Sequence, residues 1–168
     1  GRDIPIHKDR IGTLHAHAYR ALGAPDIAEG PDQLKEFADF SPVYAMSPGQ
    51  SVDLGDSPDE VPHHSLGDEM LGAYQLLRAK MVAREKWPVE VHRFGTVWEQ
   101  FKADNDYLDF EDLIEVAAND VAHAPGQPRI IYGDEAQDWS HSEYHLCLNW
   151  LKEAEALVLF GDWDQALY

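Results

Sequence analysis

Two acidic clusters each follow a short apolar run: Asp134-Glu135-Ala136-Gln137-Asp138 after Arg129-Ile130-Ile131-Tyr132, and Gly161-Asp162-Trp163-Asp164-Gln165 after Ala156-Leu157-Val158-Leu159-Phe160. An Asp at a strand end can hold Mg²⁺ directly or through water, and an adjacent Glu can take a proton from an attacking water. Asp134 and Glu135 suit those two tasks, and Gln165 suits orienting such a water or sensing a γ-phosphate. Taken singly, each acid reads equally well as a solvated loop carboxylate in an acidic protein. Their joint arrangement at two strand ends points instead to Mg-nucleotide chemistry.

The elements that must position these residues follow from pattern. Pro125-Gly126-Gln127-Pro128 supplies a turn before the first run, and both runs have the length and apolar character of buried strands. Between them Ser140 and Glu143 have the S-x-x-E spacing of a capping box, and Tyr144, Cys147, Leu148 and Leu151 fall on one helical face. The order strand, helix, strand suits a right-handed crossover between parallel strands. That places Asp134, Glu135 and Asp162 at the carboxyl edge of one sheet, where open α/β sheets bind ligands.

The same residues carry a family resemblance. Ile130-Ile131-Tyr132-Gly133-Asp134-Glu135-Ala136-Gln137-Asp138 resembles motif II of the superfamily 1 DNA helicases related to UvrD, Rep and PcrA, and Gly161-Asp162-Trp163-Asp164-Gln165-Ala166-Leu167-Tyr168 resembles their motif III. Ile11-Gly12-Thr13-Leu14-His15 resembles the GTFH segment called motif Ib, and Tyr107-Leu108-Asp109-Phe110-Glu111-Asp112-Leu113-Ile114 resembles the DFxDL segment before motif II. The resemblance implies ATP and Mg²⁺ as cofactors, with Asp134 as the metal ligand, Glu135 as the base and Gln165 as the γ-phosphate sensor. It also implies DNA-facing positions at Thr13, His15, Phe110, Asp112 and Tyr168. Two of these have local explanations as well: Thr13 as a helix cap and Phe110 as core.

The implied fold is α/β, a partial RecA-like (P-loop NTPase) parallel sheet core with a mostly helical inserted subdomain. Residues 1–23 form the first part of the core, 24–106 the insertion with a long loop at 41–64, and 107–168 the second part carrying motifs II and III. Helix is expected to exceed strand. The implied partners, in the full-length protein, are single-stranded DNA, a 3′-tailed duplex and the remaining helicase domains in cis.

The chain departs from the family at the P-loop. G-x-x-x-x-G-K-S/T is needed because backbone amides cradle the phosphates while the Lys neutralises them. None of the six lysines follows a glycine, and only Gly1 to Arg10 precede the GTFH-like segment. The chain is therefore expected to be an excised piece of a helicase, and in isolation not to hydrolyse ATP. Without the cradle, Mg²⁺ on Asp134 holds a triphosphate weakly.

Pro31 to Phe40 reads as a short amphipathic helix, and Ser41 to His64, rich in Pro, Gly and acids, as a loop. A clear helix follows, capped by Ser65 with Asp68, with Leu66, Met70, Tyr74, Leu77 and Met81 on one face and Trp87-Pro88 at its end. Arg78, Lys80, Arg84 and Lys86 crowd its C-terminal half. They suit the helix dipole or, with Arg93, Trp98 and Lys102 of the next helix, a phosphate-contacting patch.

At 44% hydrophobic and 11% aromatic over 168 residues, the chain can bury a core and is no disordered tail. No stretch approaches a membrane span and no leader pattern opens it, so a soluble, intracellular (cytoplasmic) protein with no membrane partner is expected. Cys147 is alone, which suits a buried inert thiol. His15, His17, His63 and His64 do not make the four-ligand set of a structural zinc site. The net charge of −18, from 31 acids against 13 bases, should repel DNA at long range, so a basic groove would have to come from elsewhere. The charge motivates an alternative function, a non-catalytic acidic protein-interaction module on a RecA-like half-core. A metal-dependent phosphoesterase using Asp134, Glu135, Asp138 and Asp162 is a third possibility.

Overall fold

In chain order the elements are α1 (Leu14–Ala21), α2 (Pro31–Phe40), α3 (Leu66–Ala79), α4 (Val89–Asn105), α5 (Phe110–Asp120), β1 (Ile130–Gly133), α6 (His141–Leu151) and β2 (Ala156–Leu159). They come from a computed structural model that describes residues 10–46, 65–162 and 164. The chain divides into a sheet unit, Gly1–Pro25, Ala79–Met81 and Phe110–Tyr168, and a helical unit, Asp26–Arg78 and Val82–Asp109. The fold is mixed α/β and mostly helical, with a parallel pair of strands as its sheet among the described residues. No helix among those residues is long and apolar enough to cross a membrane.

In the sheet unit, β1 and β2 run parallel with Ile130 opposite Ala156 and Gly133 opposite Leu159. The connection is α6, which starts at the expected capping box. The Ser140 hydroxyl accepts from the Glu143 N–H at 3.2 Å, and the Glu143 carboxylate accepts from the Ser140 N–H at 2.9 Å. The buried stripe of α6 is Ser142, Leu146, Cys147 and Trp150, set by packing on α5, whose Leu113, Ile114, Ala117 and Ala118 are buried. The expected face therefore needs correction. Leu148 points out at 53% exposed, because the i, i+4 row through 142, 146 and 150 faces α5. Asn149 and Trp150 lock the pair by donating to the carbonyls of Ala118 and Val121.

The helical unit is organised by aromatic packing. Phe37 of α2 meets Trp98 of α4 edge-on at 4.8 Å and Phe101 at 5.1 Å, and Tyr44 meets Phe94 at 5.3 Å. Edge-to-face contacts of this kind add about 0.5–1.5 kcal/mol each beyond area burial. Of the expected loop 41–64, Pro42–Tyr44 forms a single 3-10 turn and Met46 is buried in the same cluster; residues 47–64 lie outside the described residues.

The clear helix, α3, has its expected cap, with Asp68 N–H donating to the Ser65 hydroxyl at 3.1 Å, but it is shorter than expected. It ends at Ala79 because Met81 takes a left-handed backbone (φ 51°) and Val82 N–H returns to the Leu77 carbonyl at 2.9 Å. Met81 is consequently exposed rather than on the buried face.

Candidate functional site

Both acidic loops leave the carboxyl ends of the parallel strands. Past β1 the ladder continues, with Phe160 N–H donating to the Gly133 carbonyl at 2.7 Å and Ala136 N–H to the Phe160 carbonyl at 2.9 Å. Two glycines permit the turn. A Cβ at Gly133 would run into the Trp139 ring and Leu159, and one at Gly161 into the Gln137 carboxamide. Glu135 takes a left-handed backbone (φ 49°), which starts the 3-10 turn Ala136–Asp138. Tyr144 of α6 holds that turn by donating its hydroxyl hydrogen to the Ala136 carbonyl at 2.5 Å.

Asp134 and Glu135 are exposed, and Asp134 Oδ1 accepts from the Glu135 N–H at 3.1 Å. Gln137 Nε2 donates to Glu135 Oε2 at 2.7 Å. In the second loop, Asp162 Oδ1 accepts from the Asp164 N–H at 3.0 Å. Gln165 and Tyr168 lie outside the described residues. Among the described residues no three His, Cys, Asp or Glu side chains are placed to hold one metal ion. Asp134, Glu135, Asp138 and Asp162 therefore do not come together as a multi-carboxylate cage among the described residues. The donor set does fit a Mg²⁺ held by one carboxylate, since that ion keeps several waters and takes phosphate oxygens for the rest.

The other candidate positions divide. Thr13 is the N-cap of α1, its hydroxyl accepting from Ala16 N–H at 3.2 Å. His15 on α1 lies 3.5 Å from the Glu143 carboxylate, and its ring meets Phe110 of α5 edge-on at 6.2 Å. Phe110 is 46% exposed rather than core. Asp112 sits in the first turn of α5. So His15 and Phe110 come together, while Thr13 is occupied with its helix end. Burial alone would raise the Glu143 pKa, but hydrogen bonds from His15 and Ser140 outweigh it and hold the carboxyl below its usual range. Burial pushes the Cys147 thiol up to about 12, as an inert thiol requires.

The phosphate-contacting patch is corrected by burial. Arg78, Trp98 and Lys102 are internal, all directed at the fully buried Asp109. Arg78 Nη1 donates to both its oxygens at 3.0 Å, Trp98 Nε1 to Oδ2 at 3.0 Å and Lys102 Nζ to Oδ2 at 2.5 Å. Arg84 pairs with Glu99 at 2.7 Å, while Lys80, Lys86 and Arg93 stay exposed. A cation serving a buried carboxylate cannot also present itself to a phosphate. Asp109 and Gln137 are the residues that sequence reasoning passed over. The only local signal for Asp109 was an acid inside the otherwise helix-opening Tyr107 to Ile114 segment.

A concavity of about 840 Å³ runs along Arg10, Arg20, Asp120 and His123 and is lined by none of the acidic-loop residues. Its lining mixes both charge signs and its one acid is Asp120, so the acidic loops remain the better candidate for Mg-nucleotide chemistry. No protein-family model matches the chain, and no curated protein or solved structure matches it.

Proposed function

We propose that the chain carries the Mg-nucleotide edge of an ATP-driven motor, with Asp134 as the Mg²⁺ ligand and Glu135 as the base that takes the proton of the attacking water. More particularly, we read it as the motif Ib to motif III part of the ATP-binding domain of a UvrD-like 3′ to 5′ DNA helicase, on a partial RecA-like core. The observation that carries the reading is the parallel β1, α6, β2 unit, whose two acidic loops lie side by side at one edge, joined by the Ala136 N–H to Phe160 carbonyl hydrogen bond. Bound Mg²⁺ would supply charge to steady the phosphates. Glu135 is solvent-exposed and its carboxylate is held by Gln137, so it can meet a water while its orientation stays fixed. Gln165 remains the γ-phosphate sensor, and Phe110, His15, Asp112, Thr13 and Tyr168 the DNA-side positions, in this reading. Single-stranded DNA and a 3′-tailed duplex are the partners.

The test is the reading frame that contains these residues, together with the isolated chain. The frame is expected to code for G-x-x-x-x-G-K-S/T upstream of Gly1, and the purified chain to turn over no ATP. A frame without that motif, or steady ATP turnover by the chain that Glu135→Gln abolishes, overturns this account. The alternative, an acidic interaction module, draws on the charge of −18 and predicts partner binding unchanged by Glu135→Gln.

A further inference from the structure

We propose that Gln137 is a positioning residue that ties the loop after β1 to the loop after β2, so that Glu135 and the Asp162 segment move as one; this rests on the Mg-nucleotide reading above. The Gln137 carboxamide uses both of its ends. Its Oε1 accepts from the backbone N–H of Asp162 at 3.1 Å, while its Nε2 donates to the Glu135 carboxylate at 2.7 Å. The orientation of the amide is fixed by its neighbours, because the reverse would set N–H against N–H on one side and oxygen against carboxylate on the other. A glutamate here would keep the acceptor but lose the donor and bring a like charge to Glu135.

Gly161 is the second, independent sign of this tie. The second loop approaches so closely that a Cβ at 161 would strike Gln137 Oε1 and sit 3.3 Å from the backbone nitrogens of Ala136 and Gln137. The backbone hydrogen bond from Ala136 to Phe160 joins the loops at their base, and Gln137 extends the join to the acidic tip. Loss of the Asp162 contact frees the carboxamide and with it the Glu135 carboxylate. Misplacement of a reacting group by about 1 Å is enough to cost about 10²-fold in rate.

The experiment is amide NMR on the full chain, reading solvent exchange at Asp162 and shifts on titration with Mg²⁺ alone. Gln137→Ala is expected to speed Asp162 amide exchange about threefold to tenfold, the value of one hydrogen bond. Gly161→Ala, which keeps Gln137 in the sequence but drives its carboxamide away, is expected to do the same, while Gln137→Glu keeps the Asp162 amide protected. In the unaltered chain the Asp162 amide is expected to shift with the same Mg²⁺ midpoint as Glu135, and in Gln137→Ala only the first loop responds. Unchanged Asp162 exchange in Gln137→Ala overturns the tie, as does an Asp162 shift on Mg²⁺ that survives that substitution. Absence of Mg²⁺ shifts at both loops of the unaltered chain counts against the Mg-nucleotide reading, and the exchange rates then decide the tie by themselves.

Discussion

In the helical unit, Phe37, Phe94, Trp98 and Phe101 are sealed from solvent and the buried carboxylate of Asp109 is met by a guanidinium, an ammonium and an indole; in the sheet unit, Ile130, Tyr132, Leu159 and Phe160 of the strands and their margins stand 41–67% exposed. Parallel sheets are normally covered on both faces, and a strand edge left open is a template for pairing. The difference separates two tasks. The helical unit seals an aromatic core around a paired buried carboxylate while Val43, Leu66, Leu76 and Val89 stay exposed on its outside, whereas in the sheet unit the exposed apolar surface is on the strands themselves, beside the acids that could do chemistry.

Removing the charge balance of the helical unit is the sharpest way to break that contrast. Asp109→Ala strands Arg78 and Lys102 in the interior, and a loss of about 3–5 kcal/mol is expected in chemical denaturation followed by circular dichroism. A loss below about 1 kcal/mol, the ordinary range for an exposed ion pair, would mean that the cluster is solvated and the contrast overstated.

A smaller effect is expected in the sheet unit. Ser140→Ala removes the cap of α6 and should cost about 1 kcal/mol. The capping partner adds a pH signature. The folded pKa of Glu143 lies below its ordinary value of 4.5, so its stabilising contribution is full above that value and is lost as the pH falls through the folded pKa. Denaturation between neutral pH and pH 3 should show this acid loss in the parent and less of it in Glu143→Gln. The smallest effect is at the open face: Tyr132→Ser should leave stability within about 0.5 kcal/mol. Any self-association through that face, read by sedimentation, should weaken in the same variant.

The parts of the molecule that were legible in the sequence are those set by neighbours in the chain. The span of α2, the Ser140 and Glu143 box, the Ser65 and Asp68 cap and the parallel pair of strands all follow from periodicity and cap chemistry within a few residues. The parts that were missed are joined at a distance. Asp109 draws Arg78 from 31 residues away, and Gln137 reaches Asp162 across 25, so neither partner shows in a local pattern. Arg78 of α3 and Lys102 of α4 read as part of a surface patch because a cation on a helix reads as solvated until its buried partner is known, whereas Lys80, Arg84 and Lys86 are exposed. The stop at Met81 was hidden too, since a left-handed methionine has no sequence signal of the kind glycine gives.

The most direct test of the central claim is ATP turnover by the product of the complete reading frame that contains residues 1–168, with and without single-stranded DNA, beside its Glu135→Gln variant. The account predicts DNA-stimulated turnover that falls about 10²-fold or more in the variant while Mg-ATP still binds. Turnover that ignores both DNA and Glu135→Gln, or a product that binds no Mg-ATP, would contradict it.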